Sequence, residues 1–207
     1  MGSRWAPLEA SLREAHGPHL AGMDEVGRGP LAGPVVACAI IMPPGQRAMA
    51  GVDDSKRLSA AERERLAPRI RSRALAVGVG AASVREIERL NILHATTLAM
   101  RRALAALGVP ADHVVVDGKA IPTLGAVHTA VVGGDRRCYS IACASIVAKV
   151  VRDRLMRQLA RRYPVYGWEQ NAGYATAYHL AAIEAEGTTP HHRPAFCTRQ
   201  LTLDLGR

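Results

Sequence analysis

The stretch Gly22-Met23-Asp24-Glu25-Val26-Gly27-Arg28-Gly29 brings acid, base and bare backbone close together. Asp24 and Glu25 are adjacent carboxylates, which repel each other and are costly to desolvate. They follow the apolar Leu20-Ala21, so a cation is the natural means of neutralising them. Hard cations such as Mg²⁺ take oxygen ligands and keep some water, so a few carboxylates suffice. Gly27 and Gly29 have no Cβ, and a ligand backbone can come close to them. Arg28 between them offers a planar fork suited to phosphate. Metal-binding acid beside phosphate-binding base points to chemistry on a phosphodiester. The same residues also describe a strand running into a turn, so the rest of the chain has to decide.

Two more acids stand in comparable places. His113-Val114-Val115-Val116-Asp117 is a β-branched strand ending in an acid, and a strand over 127–132 leads through Gly133-Gly134 to Asp135. Three separate segments that deliver carboxylates at strand ends favour a metal site over chance. In a regular strand successive side chains alternate faces, so Asp24 and Glu25 reach one cation only if the strand ends or kinks at Glu25.

The elements that must position these groups alternate between strand and helix. The first strand spans 20–26, and the unbroken apolar run Val35–Ile41 suits a buried strand. Ser59 with Glu62, and Ser83 with Glu86, are capping boxes that open two helices. A third strand is predicted over 74–79. The helical region after Ser83 is predicted in two pieces, stopped at Gly108-Val109-Pro110. A long helix over 140–162 carries Ile141, Ile146, Val150, Leu155 and Leu159 on one side and Arg152, Arg154, Arg157, Arg161 and Arg162 on the others. A last helix covers 176–186. The pattern is that of an α/β sheet, whose functional groups gather at strand ends.

At 207 residues, 48% of them hydrophobic, the chain is expected to form one domain over 1–207, with an N-terminal extension to about residue 18 and a C-terminal part from about 163. Lys and Arg number 27 against 18 Asp and Glu, a net charge of +9 that favours a polyanion such as nucleic acid, although genome bias alone enriches arginine. Cys38, Cys138, Cys143 and Cys197 form no Cys-x-x-Cys pair, which argues against structural zinc. No secretory signal is visible and no apolar run reaches about 18 residues, giving the expectation of a reduced, cytoplasmic, soluble protein with no membrane contact.

The chain resembles ribonuclease HII, the type 2 ribonuclease H of bacteria, over about 20–196. The motifs that carry the resemblance are Met23 to Val36, Asp54-Ser55-Lys56-Arg57-Leu58-Ser59, Val116-Asp117-Gly118-Lys119, Gly134-Asp135, Ala144 to Asp153, Gly173-Tyr174 and His192-Arg193-Pro194-Ala195-Phe196. The resemblance implies a ribonuclease H-like mixed β-sheet flanked by helices, with a helical C-terminal part. It implies endonucleolytic hydrolysis of the RNA strand of an RNA/DNA hybrid. It also implies cleavage 5′ of a single ribonucleotide embedded in duplex DNA, leaving a 3′-hydroxyl and a 5′-phosphate, with a role in removing ribonucleotides from DNA. The family's four acids fall on Asp24, Glu25, Asp117 and Asp135, its glycine-arginine-glycine motif on Gly27, Arg28 and Gly29, and its junction-sensing tyrosine on Tyr174.

Two divalent ions, Mg²⁺ or Mn²⁺, roughly 4 Å apart, suit such a reaction. Asp24 is expected to bridge them, with Glu25, Asp117 and Asp135 completing the shells. The backbone of Gly27 and Gly29 would sense the ribose 2′-hydroxyl. Tyr174, a core tyrosine on residue type alone, would stack on the sugar of the next nucleotide. Ser55, Lys56 and Lys119, and more weakly Lys149, are phosphate-contact candidates, set against the solvated role most lysines have. Asp153 reads as the i,i+4 partner of Lys149, outside the metal set. His191 and His192 are expected at the surface or beside phosphate. Two positions depart from the family, which commonly has lysine where Gly134 and Ala172 stand, so weaker or differently salt-dependent binding is expected. The competing classes are a DNA-directed metal nuclease of the same broad fold, such as a resolvase or integrase, and a non-catalytic nucleic-acid-binding module. A monomer is expected. Family tails often bind the replication sliding clamp, but Gln200-Leu201-Thr202-Leu203-Asp204-Leu205 does not support assigning such a contact.

Overall fold

The computed structural model describes residues 5–198; the tail over 200–205 lies outside them. Its strands are β1 (Leu20–Val26), β2 (Val35–Ile41), β3 (Ala76–Ala82), β4 (His113–Asp117) and β5 (His128–Val131). They form one sheet in the order β3-β2-β1-β4-β5. β2 runs antiparallel to β1 and β3, whereas β4 runs parallel to β1 and β5, so the sheet is mixed.

Helices cover both faces. α2 (Ala60–Arg73) and α4 (Tyr139–Arg162) lie on one, and α3 (Val84–Ala105) lies on the other. The uninterrupted apolar run of β2 is explained by this double cover, since every residue of the strand is buried. Cys38 and Ile40 pack toward α2 and α4, and Ala37, Ala39 and Ile41 pack toward α3.

Both capping boxes form as the sequence predicts, Ser59 with Glu62 and Ser83 with Glu86. The helix after Ser83 is broken at Asn91, where φ is 65°. The Asn91 side-chain oxygen accepts from the N–H groups of Leu93 and His94 at 2.9 and 3.2 Å, so it caps the second piece. β3 starts later than the expected 74, because Ala74 closes α2 by donating its N–H to the Ile70 carbonyl. The strand runs on to Ala82 through small residues. A Cβ on Gly78 or Gly80 would lie 2.0 or 2.1 Å from a carbonyl oxygen of α3, so the helix rests directly on the strand backbone.

The segment read as an N-terminal extension carries α1 (Ala6–His16). Leu8 and Leu12 pack against Leu20, Val115 and Ile141. The Glu9 carboxylate accepts from both the N–H and the Oγ–H of Ser140 at 2.7 Å. It thereby caps α4, whose own N-cap residue, Cys138, makes no side-chain cap. On α4, Ile141, Ile146 and Val150 are buried as expected, but Leu155 is 36% exposed and Arg152, expected on the polar side, is 0% exposed. The C-terminal part holds α5 (Trp168–Asn171) and α6 (Ala177–Glu186) around Leu31, Met156, Tyr166, Trp168 and Ile183. No helix among the described residues is long and apolar enough to cross a membrane.

Candidate active site

The parallel pairing of β1 with β4 sets Met23 opposite Val116, so Asp24 and Asp117 come next on neighbouring strands. β5 sets Val131 opposite Asp117, and the chain then enters a short 3₁₀ turn, Gly134–Arg136, that carries Asp135. The Gly134 N–H donates to Asp117 Oδ1 at 2.7 Å, tying this turn to the end of β4. A Cβ on Gly134 would sit 2.6 Å from the Ile141 side chain, so a larger residue there displaces a methyl group of α4.

β1 stays regular through Val26, so the strand neither ends nor kinks at Glu25, the condition on which both acids would reach one cation. Asp24 pairs with Cys38 and Glu25 with Ala37, which belong to opposite faces of the sheet. The two carboxylates therefore leave the strand end on opposite sides. Asp117 couples them, since its charge acts on both.

Burial, then repulsion from Glu25, Asp117 and Asp135, holds the Asp24 carboxyl well above the usual carboxylate range. Burial also raises Glu25, offset by Arg28, whose Nη1 lies 3.1 Å from Glu25 Oε1. Asp135 is raised by burial, then by Asp54 and Asp117, with Lys56 acting in the opposite sense. Asp54, whose charge acts on Asp135, joins the acidic group. Its position in the Asp54-Ser55-Lys56 motif is the only sequence signal for it.

This mutual repulsion is what a divalent cation would relieve. Among the described residues, no three His, Cys, Asp or Glu side chains already converge on one point. Spaced carboxylates of this kind fit a hard ion that keeps water and takes phosphate oxygens as its remaining ligands. Glu25, Arg28, Asp117 and Lys119 line one cavity of about 710 Å³, which puts charges of both signs around a single space.

Behind this space lie two buried arginines that nothing in the spacing signalled, although both fall in motif stretches. Arg193, 0% exposed, donates from Nε to the Gly33 carbonyl at 2.9 Å, from Nη1 to Arg28 at 3.0 Å and from Nη2 to Gly27 at 2.7 Å. Arg152 donates to the carbonyls of Pro34, Ala172 and Ala32 at 3.0, 2.9 and 3.0 Å. These bonds satisfy a buried guanidinium without a carboxylate, which is why Arg152 turns inward. Gly27 has φ 92°, and a Cβ there would meet Arg152 Nε at 2.2 Å. The Gly27 and Arg28 carbonyls face Arg193 across trans peptides, so the N–H groups of Arg28 and Gly29 point the opposite way.

Tyr174 is 42% exposed and is not a core tyrosine. Its ring centre lies 6.0 Å from the Arg152 guanidinium carbon, and the Gly173 carbonyl accepts from the Leu31 N–H at 2.8 Å. The tyrosine segment is thus stitched to the glycine-arginine loop. Ser55 is buried, with its carbonyl accepting from Arg63 Nη1 at 2.9 Å, while Lys56 and Lys119 are exposed. Lys149 and Asp153 form the expected helix pair at 2.7 Å, and Arg63 approaches Asp153 at 3.7 Å.

His192 is not at the surface. It is 1% exposed and packs against Tyr166, Trp168 and His179. The Arg193 N–H bond to the Leu31 carbonyl and a bridge between Ala32 and His192 draw this segment inward. His191 stays partly exposed.

A mixed sheet with helices on both faces and acids at the ends of its central strands defines a ribonuclease H-like α/β protein. The solved ribonuclease H2 of Pyrococcus horikoshii superposes with a TM-score of 0.75 at 24% identity, over 87% of this chain and 95% of that one. Bst RNase HIII in complex with Mn²⁺ superposes with a TM-score of 0.71 at 21% identity, over 91% of this chain and 71% of that one. The ribonuclease HII family description matches residues 21–200. Ribonuclease HII of Granulibacter bethesdensis is 57% identical over 200 residues, covering 94% of this chain and 91% of that protein. The chain belongs to the ribonuclease HII family, and its activity is that of a type 2 ribonuclease H, a nuclease acting on RNA/DNA hybrids.

Proposed function

We propose that this enzyme also cuts on the 5′ side of a single ribonucleotide embedded in duplex DNA, leaving a 3′-hydroxyl and a 5′-phosphate, and so serves ribonucleotide removal. The observation that carries the reading is the set of mutually repelling carboxylates beside a loop whose amides are turned outward. Asp24, Glu25, Asp117 and Asp135 would hold the divalent ions, Mg²⁺ or Mn²⁺; the solved Bst relative is a Mn²⁺ complex. Such ions supply a more acidic water and charge stabilisation at the leaving oxygen.

The residues of the chain do the rest. The Arg28 and Gly29 amides donate toward the ribose 2′-hydroxyl, the group that separates RNA from DNA. The Arg28 side chain, Lys56 and Lys119 attract backbone phosphate, with Ser55 holding the turn before Lys56. Tyr174, exposed beside the loop, stacks on the sugar that follows the ribonucleotide. The reading takes the whole chain as one catalytic domain that acts as a monomer. Four free, buried cysteines agree with a reduced, cytoplasmic setting.

Asp117→Asn tests the assignment. Cleavage should fall by about a thousandfold or more, equivalent to about 4 kcal/mol of transition-state stabilisation. Binding to the same duplex, measured by fluorescence anisotropy, should stay equal or tighten, because one negative charge facing phosphate is removed. Retained turnover in this variant would show that the acids are not the catalytic set.

A further inference from the structure

The C-terminal part holds a buried chain of side chains that the reaction as described does not use. Trp168 and His179 are 0% exposed and His192 is 1% exposed. An indole N–H can only donate, and that of Trp168 lies 3.0 Å from His179 Nε2. His179 Nε2 is therefore unprotonated, and the ring proton sits on Nδ1. From there it donates to the Tyr174 carbonyl oxygen at 2.9 Å. His192 Nδ1 accepts at 2.9 Å from the Thr189 N–H, which can only donate, so the proton of the neutral ring is on Nε2. That nitrogen lies 3.1 Å from His179 Nε2, whose single lone pair it shares with the Trp168 N–H. Each tautomer is set by its neighbour, and the chain of donors ends on the backbone of Tyr174.

The other end of the chain meets the glycine-arginine loop. His192 bridges to Ala32, and the next residue, Arg193, holds the carbonyls of Gly27 and Arg28. The Tyr174 carbonyl is fixed from a second side by the Thr176 N–H at 2.9 Å. The buried histidines thus connect the loop assigned to the 2′-hydroxyl with the residue assigned to the following sugar.

We propose that His179 and His192 are positioning residues for Tyr174, their directed N–H chain setting where its exposed ring meets the nucleotide after the ribonucleotide. This rests on the reading of Tyr174 as the junction contact. Two rings that merely filled the core would need volume, not a particular proton on a particular nitrogen. A positioning role matters because a displacement of about 1 Å at a reacting substrate can cost about a hundredfold in rate.

The test compares kcat/KM on a duplex with one embedded ribonucleotide and on a continuous RNA/DNA hybrid, and takes the ratio. An asparagine amide places its N–H near the imidazole Nδ1 position, and a glutamine amide places it near Nε2. His179 needs the first and His192 the second. The ratio should hold in His179→Asn and His192→Gln, and fall roughly tenfold in His179→Gln and His192→Asn, well within the cost of a misplaced contact. All four variants exchange a buried ring for an amide, so a purely structural role would lower the melting temperature in each and leave the ratio unchanged, which overturns the proposal. If one pair does not fold, the other decides. Tyr174→Ala is the control. A lowered ratio there with unchanged ratios in His179→Gln and His192→Asn overturns the positioning role alone. An unchanged ratio in Tyr174→Ala overturns the tyrosine reading and the positioning role with it.

Discussion

Proton affinity at Asp24, Glu25 and Asp135 sets the behaviour of individual residues here. All three carboxyl groups bind protons more readily in the folded chain than in a free carboxylic acid, with burial as the leading cause. Their ionisation therefore costs stability at neutral pH, and the cost is relieved as pH falls through the raised values. A divalent cation should relieve it at constant pH. Mg²⁺ or Mn²⁺ at about a hundred times its Kd should stabilise the fold by about 2.7 kcal/mol, a rise in Tm of roughly 5–10 °C. The shift should shrink in Asp24→Asn, which removes the acid that Glu25, Asp117 and Asp135 all repel. A melting curve unmoved by either metal in the wild-type protein would contradict the carboxylates as its ligands. The acids themselves were legible in the sequence, because each follows an apolar stretch, Leu20-Ala21 before Asp24, Val114-Val115-Val116 before Asp117 and Ala130-Val131-Val132 before Asp135. The relation between Asp24 and Glu25 was not, since it depends on how far β1 continues past Glu25, and that is set by pairing with Val36.

Among the elements, α4 is held in place by distant partners. Its N-terminus packs on Gly22, where a Cβ would lie 2.3 Å from the Ser140 carbonyl carbon, and it is capped by Glu9 from α1. Glu9→Ala leaves buried donors on Ser140 without their charged acceptor. Stability should fall by about 2–3 kcal/mol, or roughly 5–10 °C in Tm for a chain of this size. Activity at 25 °C should persist in the folded fraction, because Glu9 bonds to Cys138, Ser140 and Arg13 and to none of the four acids assigned to the metal. A Tm within a degree of wild type would show that α1 is not anchored by this bond. The capping boxes of α2 and α3 were readable because cap and partner are three residues apart. The cap of α4 was not, because Glu9 and Ser140 are 131 residues apart. The inward turn of Arg152 was hidden for the same reason: its carbonyl partners on the 27–34 loop come from far along the chain. His192 looked peripheral in a Pro-rich stretch, and only the packing of Trp168 and Tyr166 reveals it as buried.

For the whole molecule, the excess of positive charge and the strand-end acids have to act together. The net charge of +9 should make duplex binding fall steeply with salt, with log K declining by about 0.9 per phosphate neutralised for each unit of log salt concentration. A flat response in a salt titration would place the charge away from the substrate. Gly134 and Ala172 carry no charge, so neither position adds a phosphate contact to that total. The most direct measurement uses a labelled DNA duplex with one ribonucleotide, incubated with Mg²⁺ or Mn²⁺ beside an all-DNA duplex and the Asp24→Asn variant. A metal-dependent cut on the 5′ side of the ribonucleotide, absent from the all-DNA duplex and from the variant, is the expected result. Cutting of the all-DNA duplex, or an equal cut by Asp24→Asn, would contradict recognition of the 2′-hydroxyl in the first case and the carboxylate metal centre in the second.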